Sequence, residues 1–402
     1  MSRSTMKDIE LSPYNLLPEV DKDLKIPDNV VIYDSTLRDG EQMPGISLSS
    51  DQKISIAKKL DEIKIPEIEA GFPAISNNEL NIIKSISNEG LNAKILVLSR
   101  LKKEDIDAAI KSDADIVLLF IASSPLHLKY KLHLTEEQVK QKVVESIQYA
   151  RDHGITPSFS TEDSTRTPIK FLEELVKIAK DSGAKRIGFT DTVGCATPQT
   201  IDYLFSHMKK VVSIPLSAHL HNDFGLGLSN AISALASGAT HICTTINGWG
   251  ERAGNVALEQ LVMALKFLYG KDLGIKTDRL TELSTMLSEY TGIPVPNTQP
   301  FVGKNAFTHE SGIHVAAMLE NHRTYEAISP KLVGNKRNLV IGKHSGKRFI
   351  KHILKDQGIE FDDNTLTNIV TEVKQLGEKT GAINFNDLTQ IINKISEENL
   401  HE

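Results

Sequence analysis

Residues 156–192 read TPSFSTEDSTRTPIKFLEELVKIAKDSGAKRIGFTDT and contain one strand–helix–strand unit. The runs 156–163 and 186–192 are short and rich in Thr, Phe and Ile, as is typical of parallel strands buried on both faces. Between them, residues 171–183 place apolar side chains at helical spacing, and Gly183 is a typical helix end. We therefore predict a strand, a helix and a second strand parallel to the first.

The same alternation recurs along most of the chain, at intervals of about 30 residues, the length of a strand–helix–strand unit. Six further β-rich runs are VVIYDST (30–36), EIEAGFP (67–73), KILVLSR (94–100), DIVLLFI (115–121), PLSAHLHN (215–222) and HICTTING (241–248). Eight strands, separated by helical segments such as 51–63, predict a closed (β/α)₈ TIM barrel over residues 29–270. A doubly wound open sheet is the alternative, and eight regular units favour the barrel.

Three other segments flank the predicted barrel. Residues 1–28 form an N-terminal extension. Residues 271–330 include a helical pattern and the proline-rich loop PVPNTQP, and we interpret them as a connecting subdomain. Residues 331–402 carry amphipathic runs, which predict a small, mainly helical C-terminal subdomain.

Composition excludes several classes of protein. The 402 residues include 40% apolar side chains and carry a net charge of −6, so we expect a folded core and no electrostatic attraction to nucleic acid or anionic lipid. The longest apolar runs, such as 115–122, are too short to span a membrane. Two cysteines form neither a disulfide framework nor a cysteine zinc site. We expect a soluble, cytoplasmic protein.

Polar side chains gather at the carboxyl ends of five predicted strands, the rim that carries catalytic groups in barrel enzymes. The segments are RDGEQ (38–42), STED (160–163), TDT (190–192), HLHND (219–223) and NGWGERAGN (247–255). In the sequence, the opposite strand ends carry no such cluster. This rim is therefore the predicted active site.

His219 and His221 are the clearest feature of the rim. Residues i and i+2 of a strand face the same side, so both imidazoles can bind one ion. Together with a carboxylate such as Asp39 they suit Zn²⁺, Mn²⁺, Fe²⁺ or Co²⁺. A hydrogen-bonded pair of core histidines is the alternative. Asn255 could add a weak oxygen ligand or could cap a helix.

Other rim residues allow two interpretations each. Arg38 could form a surface ion pair with Asp39, or could hold a carboxylate or an enolate oxygen. Glu162 could act as a general base or orient one. Thr192 could bind a substrate carboxylate or only pack. His314 and Tyr325 lie outside the barrel, and their positions alone assign them no role.

Seven motifs resemble one family. They are YDSTLRDGEQMPG (33–45), STEDSTRTP (160–168), DTVGCATP (191–198), HLHNDFGLGLSNA (219–231), NGWGERAGNVALE (247–259), HESGIH (309–314) and GKHSG (342–346). From about residue 30 onward the chain is similar to the isopropylmalate/homocitrate/citramalate synthases, metal-dependent barrel enzymes of the DRE type. That resemblance implies condensation of acetyl-CoA with a 2-oxo acid, followed by thioester hydrolysis. It also implies a divalent metal ion: Zn, Mn, Mg, Fe or Co.

The resemblance also implies roles for individual residues. The implied metal ligands are Asp39, His219, His221 and Asn255. Arg38 would face the 2-oxo group, and Thr192 would bind the acid's carboxylate. Glu162 and His314 would act on the acetyl methyl group or its activating water, with Tyr325 nearby. In this family the segment after the barrel, here 271–330, covers the active site of a partner subunit, so a homodimer is implied.

The sequence motifs indicate the reaction more specifically than the acceptor acid. Segments such as SSPLHLKYKL (123–132) and TYEAISP (324–330) are similar to archaeal-type homocitrate synthases, which favours 2-oxoglutarate. Lysine-pathway homocitrate synthases carry an arginine for the distal carboxylate where this chain has Ser158, and Arg100 or Arg166 could replace it. The alternatives are 2-isopropylmalate synthase, citramalate or Re-type citrate synthase, and a lyase of the same barrel superfamily.

Overall fold

Eight parallel strands close into a barrel in which neighbours in sequence are neighbours in space. The computed structural model describes residues 9–21 and 25–401. The strands are β1 (Val31–Asp34), β2 (Glu67–Glu69), β3 (Lys94–Arg100), β4 (Ile116–Ala122), β5 (Thr156–Glu162), β6 (Ile187–Asp191), β7 (Leu216–Leu220) and β8 (His241–Thr244). β1 pairs with β8 from Val31↔His241 to Asp34↔Thr244, which closes the cylinder. The predicted (β/α)₈ TIM barrel is confirmed.

A helix follows each strand. The helices are α1 (Ser50–Glu62), α2 (Asn77–Ser87), α3 (Lys103–Lys111), α4 (Glu136–Asp152), α5 (Ile169–Ser182), α6 (Pro198–Val211), α7 (Gly227–Ala236) and α8 (Leu258–Met263). Local sequence sets their ends: Ser49 and Gln52 form a capping box at the start of α1. Gly183 ends α5 in the left-handed conformation, with φ 117°. Their apolar faces, with residues such as Ile56 and Leu60, are buried.

Shorter helical turns precede β1 or connect these elements in the barrel unit. They are Pro13–Leu16, Pro18–Asp21, Gly40–Gln42, Pro73–Ile75, Pro125–His127, Leu128–Leu132, Ser164–Arg166, Ile246–Gly248, Ala264–Leu268 and Thr277–Arg279. The turns at Leu128–Leu132 and Ala264–Leu268 are π-helical. Helix α9 (Leu280–Thr291) follows them. Two of these turns, at 40–42 and 128–132, lie beside the cavity described below.

The amino-terminal ends of the strands contain a buried polar cluster, so the prediction that this end carries none is wrong. Arg186 precedes β6, and its Nη1 lies 2.6 Å from Oε2 of Glu67, the first residue of β2. Its Nε donates to Ser158 Oγ, and its guanidinium carbon lies 5.3 Å from the ring centroid of Tyr33. Both partners of the ion pair are buried, and burial, then Arg186 and Lys94, lowers the pKa of nearby His241 to about 3.

The chain divides into two compact units between Val295 and Pro296, and the second unit also includes residues 9–12. Its helices are α10 (Gly312–Glu320), α11 (Lys347–Asp356), α12 (Asp363–Thr380) and α13 (Phe385–His401). Two short sheets pair β9 (Thr308–His309) with β10 (Asn338–Leu339), and β11 (Ile341–Gly342) with β12 (Ala382–Ile383). Val315, Phe349, Ile369 and Leu388 belong to its hydrophobic core.

Part of the predicted N-terminal extension joins this second unit. Ile9 forms a bridge with Ile328, and Glu10 N donates to Ala327 O at 2.8 Å. Residues 1–8 and 22–24 of the extension lie outside the described residues. The predicted domain boundaries at 28/29, 270/271 and 330/331 remain predictions. Among the described helices, none combines the length and apolar character needed to cross a bilayer.

Candidate active site

A cavity of about 380 Å³ opens at the carboxyl ends of the barrel strands. Its walls are built by Tyr33, Arg38, Asp39, Gln42, Leu98, Leu118, Phe120, Lys131, Ser160, Glu162, Thr190, Thr192, His219, His221, Glu251 and Arg252. All of these residues belong to the barrel unit. The cavity therefore brings together the segments that follow β1, β4, β5, β6, β7 and β8.

Asp39, His219 and His221 converge on one point of this cavity. His219 Nε2 lies 3.2 Å from His221 Nε2 and 3.3 Å from Asp39 Oδ2, and His221 Nε2 lies 3.9 Å from the same oxygen. One ligand atom from each residue lies within 4.8 Å of the others, and all three side chains are buried. This arrangement is a candidate site for one divalent cation, because two imidazole nitrogens and a carboxylate oxygen are typical ligands.

The electrostatics of Asp39 and His221 favour the protonation states that a metal requires. Burial raises the pKa of Asp39, but the Arg38 guanidinium and a hydrogen bond with His219 outweigh it and hold that pKa well below its usual range. Burial, and then neighbouring His219, lowers the pKa of His221 to about 4. Near neutral pH, Asp39 is therefore ionised and His221 neutral, which are the ligand forms.

Asn255 lies beside the three residues and keeps one polar atom free. Its backbone bridges to His221, and its Nδ2 donates to Asp39 Oδ1 at 3.0 Å. Its Oδ1 is buried without a hydrogen-bond partner in the described part of the chain. An amide oxygen left without a donor costs free energy unless something positive binds it. The donor set thus fits a divalent cation with Asn255 as the additional oxygen ligand.

Arg38 is held in a fixed orientation on the side of the cavity that carries the candidate metal ligands, called the metal side below. Its Nε and Nη2 donate to the two carboxylate oxygens of Glu69 at 2.9 and 3.0 Å, and its Nη1 donates to Asp39 Oδ2 at 2.9 Å. Glu69 is completely buried. Arg38 therefore does more than form a surface ion pair with Asp39. Of the five N–H donors of a guanidinium, these contacts leave two.

Glu162 and Thr192 lie on the β5–β6 side of the cavity. The ammonium of Lys131 contacts both carboxylate oxygens of Glu162, at 2.6 and 2.8 Å. Thr192 Oγ1 accepts a hydrogen bond from Asp163 N at 2.8 Å, so its hydroxyl proton is available to a ligand. Lys131 was not among the predicted site residues. Its only sequence signal is the segment SSPLHLKYKL (123–132), which served the family resemblance.

Arg252 is a second residue that the sequence reasoning missed. Its Nε and Nη2 contact the two oxygens of Asp223 at 2.9 and 3.0 Å, and its Nη2 donates to Thr192 O at 2.6 Å. Its backbone is left-handed, with φ 57°, an uncommon conformation for a residue other than glycine. The side chain ties together the loops after β6, β7 and β8. In the sequence, Arg252 lies within the rim segment NGWGERAGN (247–255).

His314 and Tyr325 belong to the second unit. Their rings stack with centroids 4.0 Å apart and an interplanar angle of 26°. Both side chains are exposed, and so is neighbouring Ile313. Nearby His309 Nε2 lies 3.9 Å from Glu326 Oε1. Within this unit, His314 and Tyr325 therefore form an exposed stack of two rings.

Neither arginine proposed to replace the one expected at Ser158 is among the cavity residues. Arg100 forms a two-point contact with Asp105, and Arg166 contacts Asp163 at 2.7 Å. The guanidinium that reaches Ser158 belongs to Arg186, below the cavity floor and paired with a glutamate. In this structure neither side chain belongs to the cavity wall, and the replacement of the expected arginine by Arg100 or Arg166 stays a prediction.

Comparison with known proteins agrees with this geometry. Residues 29–287 match the HMGL-like family, and residues 301–381 match the homocitrate synthase post-HMGL domain-like family. The chain is 48% identical to homocitrate synthase AksA of Methanothermobacter thermautotrophicus, over 96% of this chain and 97% of that protein. It is 47% identical to a probable 2-isopropylmalate synthase of Methanopyrus kandleri, over 88% and 71%. The HMG-CoA lyase structure from Bacillus subtilis superposes with a TM-score of 0.62 at 19% identity, covering 67% of this chain and 96% of that one, which shows a shared fold.

Proposed function

Because this chain belongs to the HMGL-like family and shares its post-barrel domain with homocitrate synthases, we propose that it condenses acetyl-CoA with 2-oxoglutarate and hydrolyses the thioester. It is then an acetyl-CoA:2-oxo acid C-acyltransferase of the homocitrate synthase type. The observation that carries the proposal is the convergence of Asp39, His219 and His221 beside Arg38 in one cavity.

The proposed cofactor is one divalent metal ion, with Zn, Mn, Mg, Fe and Co as candidates. Asp39, His219 and His221 would hold it, and the free amide oxygen of Asn255 would complete the protein ligands. A cation bound there would supply Lewis-acid polarisation of the keto group of the 2-oxo acid. Two nitrogen ligands favour a transition metal over Mg²⁺, which prefers oxygen.

Arg38 and Thr192 orient the 2-oxo acid in this proposal. The two remaining donors of Arg38 stabilise the keto oxygen as it becomes an alkoxide, because Glu69 has already fixed the direction of the guanidinium. The hydroxyl of Thr192 donates to the acid's carboxylate, and Arg252 positions that residue by binding its carbonyl oxygen. Fixed donors lose little entropy when the substrate binds.

Glu162 is the proposed base. A carboxylate oxygen of Glu162 would take the proton from the acetyl methyl group, so that the resulting carbanion can attack the polarised keto carbon. Lys131 keeps this carboxylate oriented through contacts to both of its oxygens. Glu162 would then give that proton to the alkoxide formed on the keto carbon, and its carboxylate would take a proton from the water that attacks the thioester and deliver it to the departing CoA thiolate. Each of these roles rests on the resemblance together with the cavity geometry.

We further propose that the enzyme is a homodimer in which His314 and Tyr325 act in the partner's active site. The exposure of their stacked rings supports an external ligand for them. Co-expression of Arg38→Ala and His314→Ala subunits tests this, because a mixed dimer regains one intact site only if the two residues come from different subunits. No recovery in purified mixed dimers would refute action in trans. The cytoplasmic location remains a prediction.

A thiol-release assay with acetyl-CoA and a panel of 2-oxo acids tests the main proposal. We expect the highest kcat/KM with 2-oxoglutarate, and loss of activity after chelation. A specific observation favours 2-isopropylmalate synthase as the second candidate: Leu98, Leu118 and Phe120 give the cavity an apolar wall that suits the branched 2-oxoisovalerate. Highest activity with that acid would select the second candidate. Absence of thiol release with every acid in the panel would refute both.

A further inference from the structure

The cavity has two chemically different sides. The candidate metal ligands and Arg38 come from the segments of β1, β7 and β8. Leu98 on β3, together with Leu118 and Phe120 on β4, forms a wall across the barrel from them. A 2-oxo acid held at the metal by its keto and carboxylate groups would therefore extend its side chain toward β3 and β4. The residues at that far end therefore determine which side chains of the 2-oxo acid the cavity can bind.

One cationic side chain stands at the far end. Among the described residues that build the cavity, Arg38, Lys131 and Arg252 carry positive charge. Two of them lie on the metal side, where Glu69 and Asp223 already hold them. Lys131 comes instead from the π-helical turn Leu128–Leu132 that follows β4. π-helical turns are rare in proteins, and those that occur are often found at functional sites.

Lys131 has the freedom and the donors to bind a second ligand. Its side chain is 49% exposed, and its two contacts are with the oxygens of Glu162. An ammonium has three N–H donors, so one remains for a substrate carboxylate. The flexible stem of a lysine also lets the ammonium follow acids of different length. Arg100, Arg166 and Arg186 lie outside the cavity wall, and each is paired there with a carboxylate.

We propose that Lys131 determines the specificity for dicarboxylic 2-oxo acids by binding their distal carboxylate. The apolar wall of Leu98, Leu118 and Phe120 contacts the intervening methylene groups, and the ammonium meets the charge at the end of the chain. This inference rests on the proposed acyltransferase function. It also explains how the chain can recognise a dicarboxylate with Ser158 where an arginine was expected. When Glu162 takes up a proton, the distal carboxylate keeps the ammonium paired.

The alternative role for Lys131 is to act only through Glu162. In that case its removal would slow the reaction with every acceptor to the same extent, because proton removal from acetyl-CoA does not depend on the acceptor's side chain. The two roles therefore differ in acceptor dependence, which can be measured directly.

The test compares Lys131→Met with the wild type on 2-oxoglutarate and on 2-oxovalerate, which has the same carbon chain without the distal carboxylate. We expect kcat/KM for 2-oxoglutarate to fall about tenfold to hundredfold, the range for one hydrogen bond to a charged group, mainly through KM. The value for 2-oxovalerate should fall much less, only by what the lost orientation of Glu162 costs both acceptors alike. A circular-dichroism spectrum like that of the wild type shows that the variant is folded. Lys131→Arg should keep the preference for the dicarboxylate.

Lys129→Met is the matched control. Lys129 lies on the same turn, is exposed, stacks over Tyr130 and is not part of the cavity wall. Its removal should leave both acceptors unaffected. An equal loss with both acids in Lys131→Met, or no loss with either, would overturn the proposal while the acyltransferase function stands. A wild-type enzyme that releases no thiol with any acid refutes the underlying function instead.

Discussion

Replacing His219 by alanine tests the candidate metal site, and the linkage between metal binding and stability gives the size of the expected effect. A cation that binds only the folded state stabilises it by RT ln(1 + [M]/Kd), about 2.7 kcal/mol when its concentration is one hundred times Kd. For a unit the size of the barrel, this corresponds to a rise in Tm of about 5–11 °C. His219 Nε2 is 3.2 Å from His221 Nε2 and 3.3 Å from Asp39 Oδ2, so its removal deletes the central ligand of the three.

The assay is thermal unfolding of chelator-treated protein, titrated separately with Zn²⁺, Mn²⁺, Co²⁺ and Mg²⁺. If His219→Ala weakens Kd about a hundredfold, the same metal concentration stabilises the variant by only about 0.4 kcal/mol, and the rise in Tm nearly disappears. The loss should appear with every cation that stabilises the wild type. This readout does not depend on any substrate, so it tests the site independently of the reaction.

His207→Ala is the matched control for this experiment. The His207 ring lies on the barrel exterior, where its Nε2 contacts Glu173 at 2.7 Å. Its removal should leave the metal-dependent rise in Tm unchanged. If His219→Ala keeps the full rise, the cation binds elsewhere and the assignment of this cluster is wrong.

Three further predictions concern the barrel. Arg38→Lys should lower kcat about a hundredfold or more, as loss of a positioned transition-state donor does, while the dissociation constant for acetyl-CoA measured by calorimetry stays the same; an unchanged kcat would remove the residue from the chemistry. Glu67→Gln should cost about 3–5 kcal/mol in urea unfolding because Arg186 stays buried without its partner, whereas Glu62→Gln on the surface should cost less than about 1 kcal/mol; equal costs would contradict this. Burial raises the pKa of Asp34 to about 6, above its unfolded value of 3.8, so ionisation of this carboxyl should cost the wild type about 2–3 kcal/mol of stability as pH rises from about 4 to 7, and Asp34→Asn should remove that contribution. Parallel pH profiles for the two proteins would refute it.

The sequence was sufficient to predict the barrel because its strands are near-continuous apolar runs. Such runs are typical of parallel strands buried on both faces, here by the side chains inside the barrel and by the helices outside it. The predicted limits differ from the observed ones mainly where polar rim residues follow a strand, as at 67–73, which extends beyond the strand Glu67–Glu69. There the backbone leaves the sheet although the composition still resembles a strand. Side chains of the rim could be grouped because carboxyl ends of parallel strands meet.

The missed residues share a different cause. Arg186 and Glu67 are 119 positions apart in the sequence. They meet only because closure of the barrel brings the amino-terminal ends of β2 and β6 close together. Lys131 reaches the cavity because the turn after β4 is π-helical, which changes the direction of its side chain. Neither the pairing of distant strand ends nor the pitch of one turn is encoded in local periodicity. Long-range packing decides both.

The division of the cavity also explains why overall similarity does not identify the acceptor. Relatives named for homocitrate and for isopropylmalate are almost equally identical to this chain. In the proposed function, the chemistry that yields either product would use the candidate metal ligands and a fixed Arg38, which occupy the β1, β7 and β8 side. The acceptor's side chain would contact only a few residues across the barrel, among them Leu118 and Lys131. A change of acceptor therefore requires few substitutions there, and the identity of those side chains is more informative than the percentage identity of the whole chain.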